Sequence, residues 1–246
     1  MNSMKRISAV LLAVLMAVSL IPGSALAKVF VREAETIAAW DFEAQTPNVT
    51  TASANNTGAV VARNDSSIAF SYTQGSGGTG TSAISSNGWD GASEAAPKYY
   101  TVTVNAVGYS GIGVSAKFRA SNTGPKNVAL YYSVNGADFI AVDGAATTLT
   151  SSSYWGTAAG TLPAACDGAE SLEIRMVVND TAGVNGSAVQ SGGTLRMDDL
   201  TITGTAEGGT NPTPVPTTVP TDPPFVTVSI AEALNTSSST TTTSPR

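Results

Sequence analysis

The sequence contains no histidine and one cysteine, and only 12% of its residues are charged. Each shortage excludes a chemistry. Without histidine there is no Ser-His-Asp or Cys-His constellation, no His-ligated zinc and no ordinary general base near neutral pH. Cys166 alone makes no intramolecular disulfide, and its neighbours in residues 162–167 supply no cation to lower its thiol pKa. It reads as a small residue in a loop or at a strand edge. The glycine-rich residues 75–80 lack the Lys-Ser/Thr ending of a phosphate loop and precede no helix. No window past the N-terminus keeps a helical period, because the Ala-rich pieces around Ala145 and Ala158 are broken by Gly and Thr.

What is present begins with an export signal. Lys5 and Arg6 precede an apolar run from residue 7 to 21, then Pro22-Gly23 and Ala25-Leu26-Ala27. These are the charged, apolar and small-residue parts of a secretory signal peptide, residues 1–27, with cleavage expected before Lys28. The run is about 15 residues, short of the roughly 20 that cross a bilayer. No later stretch is apolar enough to span, so no membrane span is expected in the mature chain, which is placed outside the cell. Cleavage removes two basic residues and leaves 10 against 18 acidic ones, a net −8. Such a surface repels phosphate backbones, so no direct nucleic-acid partner is expected. A secreted eukaryotic domain is more often stapled by disulfides, and a chain without them fits an exported bacterial protein.

Alternation dominates from residue 38 onward, the mark of half-buried strands. Ala38, Trp40 and Phe42 open it, after residues 29–37 that read as a short leader. Tyr100, Val102 and Val104 follow, then Ile112, Val114, Ala116 and Phe118, with Ser115, Lys117 and Arg119 on the other face. Val128, Leu130, Tyr132 and Val134 form the next row, closed by the hairpin signal Asn135-Gly136. Leu172, Ile174, Met176 and Val178 form another row, and residues 195–203 a last strand. Eight or so short strands without helices predict an all-β fold, an antiparallel jelly-roll-type β-sandwich over residues 28–206. Residues 207–224 form a Pro/Thr linker that favours a semi-rigid extended spacer. Residues 225–246 are too few to fold alone and read as a truncated domain start or a disordered tail, so a missing C-terminal domain is expected.

Two sets of side chains are candidates for function. Exposed aromatics stack on sugar rings, and Trp89, Tyr109, Tyr154 and Trp155 sit in loops or turn phases, with Tyr99 and Tyr131 in outward phases. Each alone is more often a packing residue; together they make a binding face possible. The carboxylates Glu43, Asp198 and Asp199 meet if the first and last strands lie side by side. They are then either solvated strand ends or hard oxygen ligands for a structural calcium ion. The pairs Asp41 with Glu43 and Asp198 with Asp199 lack the supporting groups of a glycosidase, and no enzymatic activity is expected.

Residues 39–43 (Ala-Trp-Asp-Phe-Glu) and 196–204 (Arg-Met-Asp-Asp-Leu-Thr-Ile-Thr-Gly) resemble the two end strands of secreted bacterial jelly-roll modules, carbohydrate-binding modules among them. The middle, from Tyr100 through Gly108-Tyr109, residues 121–126 and residues 130–136, is similar to an N-terminal module of large exported bacterial proteins. In those a Pro-rich linker leads to a small OB-like barrel and then a nuclease or phosphatase domain. Residues 228–234 resemble the opening of that barrel, and the likeness fails after Asn235. The resemblance implies a non-catalytic accessory module for polysaccharide or cell-surface glycan. It also implies calcium at Glu43, Asp198 and Asp199, which match positions holding that ion in related sandwiches. Two alternatives stay open: the N-terminal fragment of an exported nuclease or phosphoesterase lacking its catalytic domain, and a structural spacer of a surface protein.

Overall fold

Alternating apolar residues make two faces on every long strand, and the apolar faces meet in one core. The computed structural model describes residues 32–207. The export signal, all but the first residue of the linker, and the tail lie outside the described residues. Twelve strands run through the described part: β1 (Glu35–Trp40), β2 (Thr51–Ala52), β3 (Ala62–Arg63), β4 (Ser71–Gln74), β5 (Ser82–Ser86) and β6 (Lys98–Val104) come first. They are followed by β7 (Tyr109–Ala120), β8 (Asn127–Val134), β9 (Ile140–Thr148), β10 (Gly156–Thr161), β11 (Leu172–Val178) and β12 (Leu195–Ala206). The helical content of the described residues is limited to single 3-10 turns such as Ala54–Asn56 and Ala164–Cys166.

The larger sheet has seven strands in the order β10-β7-β12-β1-β2, with the β4–β5 hairpin joined to β12. The smaller has five, β3-β6-β11-β8-β9, and every strand pairing in both sheets is antiparallel. Inward rows from both sheets fill the space between them: Ile112, Phe118, Leu200 and Ile202 from one, Tyr100, Leu130, Ile174 and Met176 from the other, all fully buried. The chain is therefore an antiparallel β-sandwich, as the alternation predicts.

The differences from the sequence reading are local. Residues 35–37 belong to β1, with Glu35 and Thr36 paired to β12, so the first strand begins earlier than expected. The strand ends at Trp40, because Phe42 adopts φ 57°, a left-handed turn conformation outside the strand region. The segment around Ala158 is β10, paired along β7 from Gly156–Phe118 to Thr161–Gly113. It buries only Gly156 and Ala158, so its inward row carries no large apolar side chain to announce it.

Candidate functional site

The outer face of the smaller sheet carries a cleft lined by aromatic side chains. On β6, β11 and β8 the even-numbered residues from Tyr100 to Val104, Leu172 to Val178 and Val128 to Tyr132 are buried. The odd-numbered neighbours therefore face out. Register aligns them across the strands: Thr101, Arg175 and Tyr131 form one row, and Tyr99, Val177 and Ala129 the next. Phe139 arrives from the β8–β9 turn, where Asn135 and Gly136 adopt φ 50° and 79°. That pair of left-handed residues is what the Asn-Gly signal supplies to a tight hairpin. Glu94 and Pro97, preceding β6, close one side of a cleft of about 260 Å³.

Arg175 is the centre of this cleft. Its guanidinium carbon lies 3.4 Å from the centre of the Phe139 ring and 4.1 Å from that of Tyr99. The electron-rich ring faces attract the cation, and the rings in turn hold it flat. Nε donates to Glu173 Oε1 at 2.9 Å, and the Thr101 hydroxyl donates to the same oxygen at 2.8 Å. The side chain is thus fixed from three sides, while its two terminal nitrogens donate to no acceptor among the described residues. Rings, fixed amino groups and the Tyr131 hydroxyl in one open cleft are suited to a ligand with apolar faces and hydroxyl edges.

Of the aromatics singled out in the sequence, Tyr99 and Tyr131 line this cleft, whereas Trp89, Tyr109, Tyr154 and Trp155 do not. Trp89 is fully buried, so it presents no face to a ligand. Its Nε1 donates to Ser86 O at 2.8 Å, Arg63 stacks on its ring at 3.7 Å, and Tyr100 packs edge-on at 5.0 Å. Its Gly-rich surroundings suggested an exposed loop, but remote strands cover it. Tyr154 is 45% exposed and Trp155 half-buried, both just before β10. Tyr109 is half-buried at the start of β7, and β10 begins opposite Phe118. About nine residues of strand, roughly 30 Å, separate it from Trp155, so these residues form no common face. Phe139, Arg175 and Glu173 were missed. Alternation already turned Tyr99 and Tyr131 outward; the pairing of β6, β11 and β8 was the lacking information.

The three carboxylates do converge, on the loop between β4 and β5. On one side β12 pairs first with β5, through residues 195–197, and then with β1, through residues 200–204. At the switch it bulges, and Asp199 adopts φ 48°. Buried Asp198 accepts the Ser76 N–H at 2.6 Å through Oδ2 and the Asp199 N–H at 2.9 Å through Oδ1. Asp199 Oδ2 accepts from Ser76 Oγ at 2.9 Å and from Lys117 Nζ at 2.7 Å. Glu43 Oε2 accepts the Ser82 N–H at 3.0 Å. Burial raises the Asp198 carboxyl above the usual range, and Asp199 raises Lys117 above its own. The resemblance implies calcium here. As placed, however, these oxygens are committed to N–H, O–H and ammonium donors. Among the described residues no group of three or more acidic, His or Cys side chains is arranged to hold a metal ion. In this arrangement the set works as a latch on the loop, with Asp198 engaged through both oxygens and Asp199 and Glu43 through one each.

Cys166 is fully buried, and burial pushes its thiol up to about 11, which leaves it protonated and unreactive near neutral pH. No helix among the described residues is long and apolar enough to cross a membrane.

No protein-family model and no curated protein matches the chain. Solved structures similar to it include the CBM22-1 xylan-binding domain of Paenibacillus barcinonensis Xyn10C, 11% identical, covering 72% of this chain and 99% of that one at TM-score 0.46. A CBM61 module in complex with β-1,4-galactotriose is 12% identical over 58% of this chain and 86% of its own, at TM-score 0.37. The K2 cleaved adhesin domain of Lys-gingipain is 13% identical over 69% and 99%, at TM-score 0.40. Likenesses this distant assign no ligand, and the reading of function rests on the cleft itself.

Proposed function

We propose that this chain is an exported, non-catalytic accessory module that binds a neutral polysaccharide or cell-surface glycan along the outer face of its smaller sheet. The observation that carries this reading is the stack of Tyr99, Arg175 and Phe139 beside Tyr131, with the guanidinium edge left unspent. Sugar rings offer C–H faces to aromatic side chains and hydroxyl edges to fixed donors, and the cleft supplies both. Glu173 already pairs with Arg175 and Glu94 lines the rim, so no surplus positive charge recruits an anion. The absence of histidine and the buried thiol support a binding role over a hydrolytic one.

The test is retention of the full chain on immobilised polysaccharides. Xylan and β-1,4-galactan, related to the ligands of two neighbours above, serve as the first probes. Binding should fall by about tenfold or more in Tyr99→Ala, Phe139→Ala and Tyr131→Ala, a loss of roughly 1.4 kcal/mol each. Thermal melts should show these variants folded. Wild-type protein that passes unretained over every neutral polysaccharide tried would sink the proposal.

A further inference from the structure

A second concavity lies at the edge of the other sheet. We propose that the groove between the β4–β5 hairpin and the turn after β1 is a separate saccharide-binding site, which takes a neutral, hydroxyl-rich ligand. It encloses about 430 Å³ and is lined by Gln45, Tyr72, Thr73, Gln74, Thr79 and Thr81. Among the described residues β4 pairs only with β5, which leaves this side of the hairpin as a sheet edge.

The lining defines the ligand. It holds no carboxylate, ammonium or guanidinium, which excludes recognition of phosphate, carboxylate or a cation by charge pairing. Its one titratable group is the Tyr72 phenol, pushed up by burial and so a neutral hydroxyl beside a ring face. The side-chain amides of Gln45 and Gln74 form no hydrogen bond with any described residue. Each offers a carbonyl acceptor and two N–H donors. The Thr73 hydroxyl is buried and has no partner. That oxygen is closed to solvent, so the polar groups a ligand meets first are the exposed Gln45 and Gln74 amides. Amides, hydroxyls and one ring, without charge, make a set that matches sugar hydroxyls.

The walls are held in advance. Gln45 adopts φ 53° in the turn that also holds Phe42 at 57°, a backbone shape set by the fold rather than by the residues' preferences. The facing wall is the loop after β4, fixed by Asp198, Asp199 and Glu43 and closed on itself by the Thr81 hydroxyl donating to Gly78 O at 2.8 Å. The carboxylates are therefore positioning residues for this groove. A preformed site spends less affinity on ordering its own loops. This proposal does not rest on the first cleft. With both sites working, one chain attaches to a polymer at two points, on different sheets, and gains avidity without new contacts.

The experiment titrates the isotopically labelled full chain with xylohexaose, cellohexaose and β-1,4-galactotriose and follows amide NMR signals, side-chain amides included. The expected result is saturable movement of the Gln45 and Gln74 side-chain amides by at least one probe. That movement should persist in Tyr99→Ala/Phe139→Ala and disappear in Gln45→Ala/Gln74→Ala. Probes that move the Tyr99, Tyr131 and Arg175 region alone overturn this proposal and leave the first reading standing. Movement at the groove alone, insensitive to the first pair of substitutions, does the reverse. Signals at neither place with any probe at millimolar concentration overturn both.

Discussion

Arg63 and Arg175 both stack on aromatic rings, and their surroundings separate their roles. Arg175 keeps an exposed edge, with its Nε paired to Glu173. Arg63 is 7% exposed and lies on the Trp89 ring, and its Nε and Nη1 have no partner. Only Nη2 is engaged, with Asn87 O and Gly88 O at 3.3 Å, and burial lowers the guanidinium pKa. A buried cation with unspent donors is weak support for a fold, and replacing it with an apolar side chain of similar reach is often neutral or stabilising. Arg63→Met is expected to leave unfolding free energy unchanged or raise it by about 1 kcal/mol, measured in urea. A loss of about 2 kcal/mol or more would show that the stack itself holds this corner. Asp198 adds a pH signature. Burial raises its folded pKa above the unfolded value, so its ionised form penalises folding. The penalty is full at neutral pH, fades as pH falls through the raised value and is gone below the unfolded one near 4. Stability of the wild type relative to Asp198→Asn should therefore rise on acidification from about pH 7 to about pH 4. A difference that stays flat, or moves the other way, in urea melts across that range removes this account.

At the scale of elements, two short features position the two proposed binding surfaces. One is the β12 bulge, where the strand changes partner from β5 to β1 and turns Asp198 and Asp199 toward the loop. Because Asp198 through both oxygens, and Asp199 and Glu43 through one each, already accept protein donors, excess EDTA is expected to leave the melting temperature of the full chain unchanged. Lys117→Met, which removes a pair whose side chains are 43% and 45% exposed, should lower it by only about 2–4 °C. A clear drop with EDTA, restored by calcium, would show that the latch closes around an ion. The other feature is the β8–β9 turn that delivers Phe139. Gly136→Ala puts a Cβ at φ 79°, at a cost of about 1 kcal/mol, and should also weaken glycan retention by displacing the Phe139 ring. Retention equal to the wild type would detach Phe139 from the site. The long elements were legible in the sequence because β7, β8, β11 and β12 each carry a row of large apolar residues at alternate positions. Among the weaker elements, β10 offers only Gly and Ala inward, and β2 and β3 are two residues each, too short to show a period. The cleft was half legible. Tyr99 and Tyr131 could be turned outward from alternation, but their meeting over Arg175 depends on which strand pairs with which, and that is a long-range property. Trp89 failed for the same reason, since what covers it comes from Arg63 and Tyr100.

For the whole molecule the electrostatic balance decides what kind of partner the surface accepts. The full sequence is net −6. The cleft on the smaller sheet is lined by Glu94 and Arg175, the latter paired with Glu173, and the groove on the larger sheet holds no formal charge. A ligand recruited by charge would sense this field, and its affinity would fall steeply with salt, because the screening length shrinks from about 14 Å at 0.05 M to about 4 Å at 0.5 M. Nucleic-acid binding, where each neutralised phosphate releases counterions, loses several orders of magnitude over a comparable range. A neutral glycan held by stacking and hydrogen bonds has no such dependence. Dissociation constants for the best-retained polysaccharide should therefore agree within about twofold at those two salt concentrations, measured by isothermal titration calorimetry. A tenfold weakening at high salt would mean that the Arg175 edge receives an anion, and the neutral class of ligand would have to be abandoned for an acidic one at that cleft.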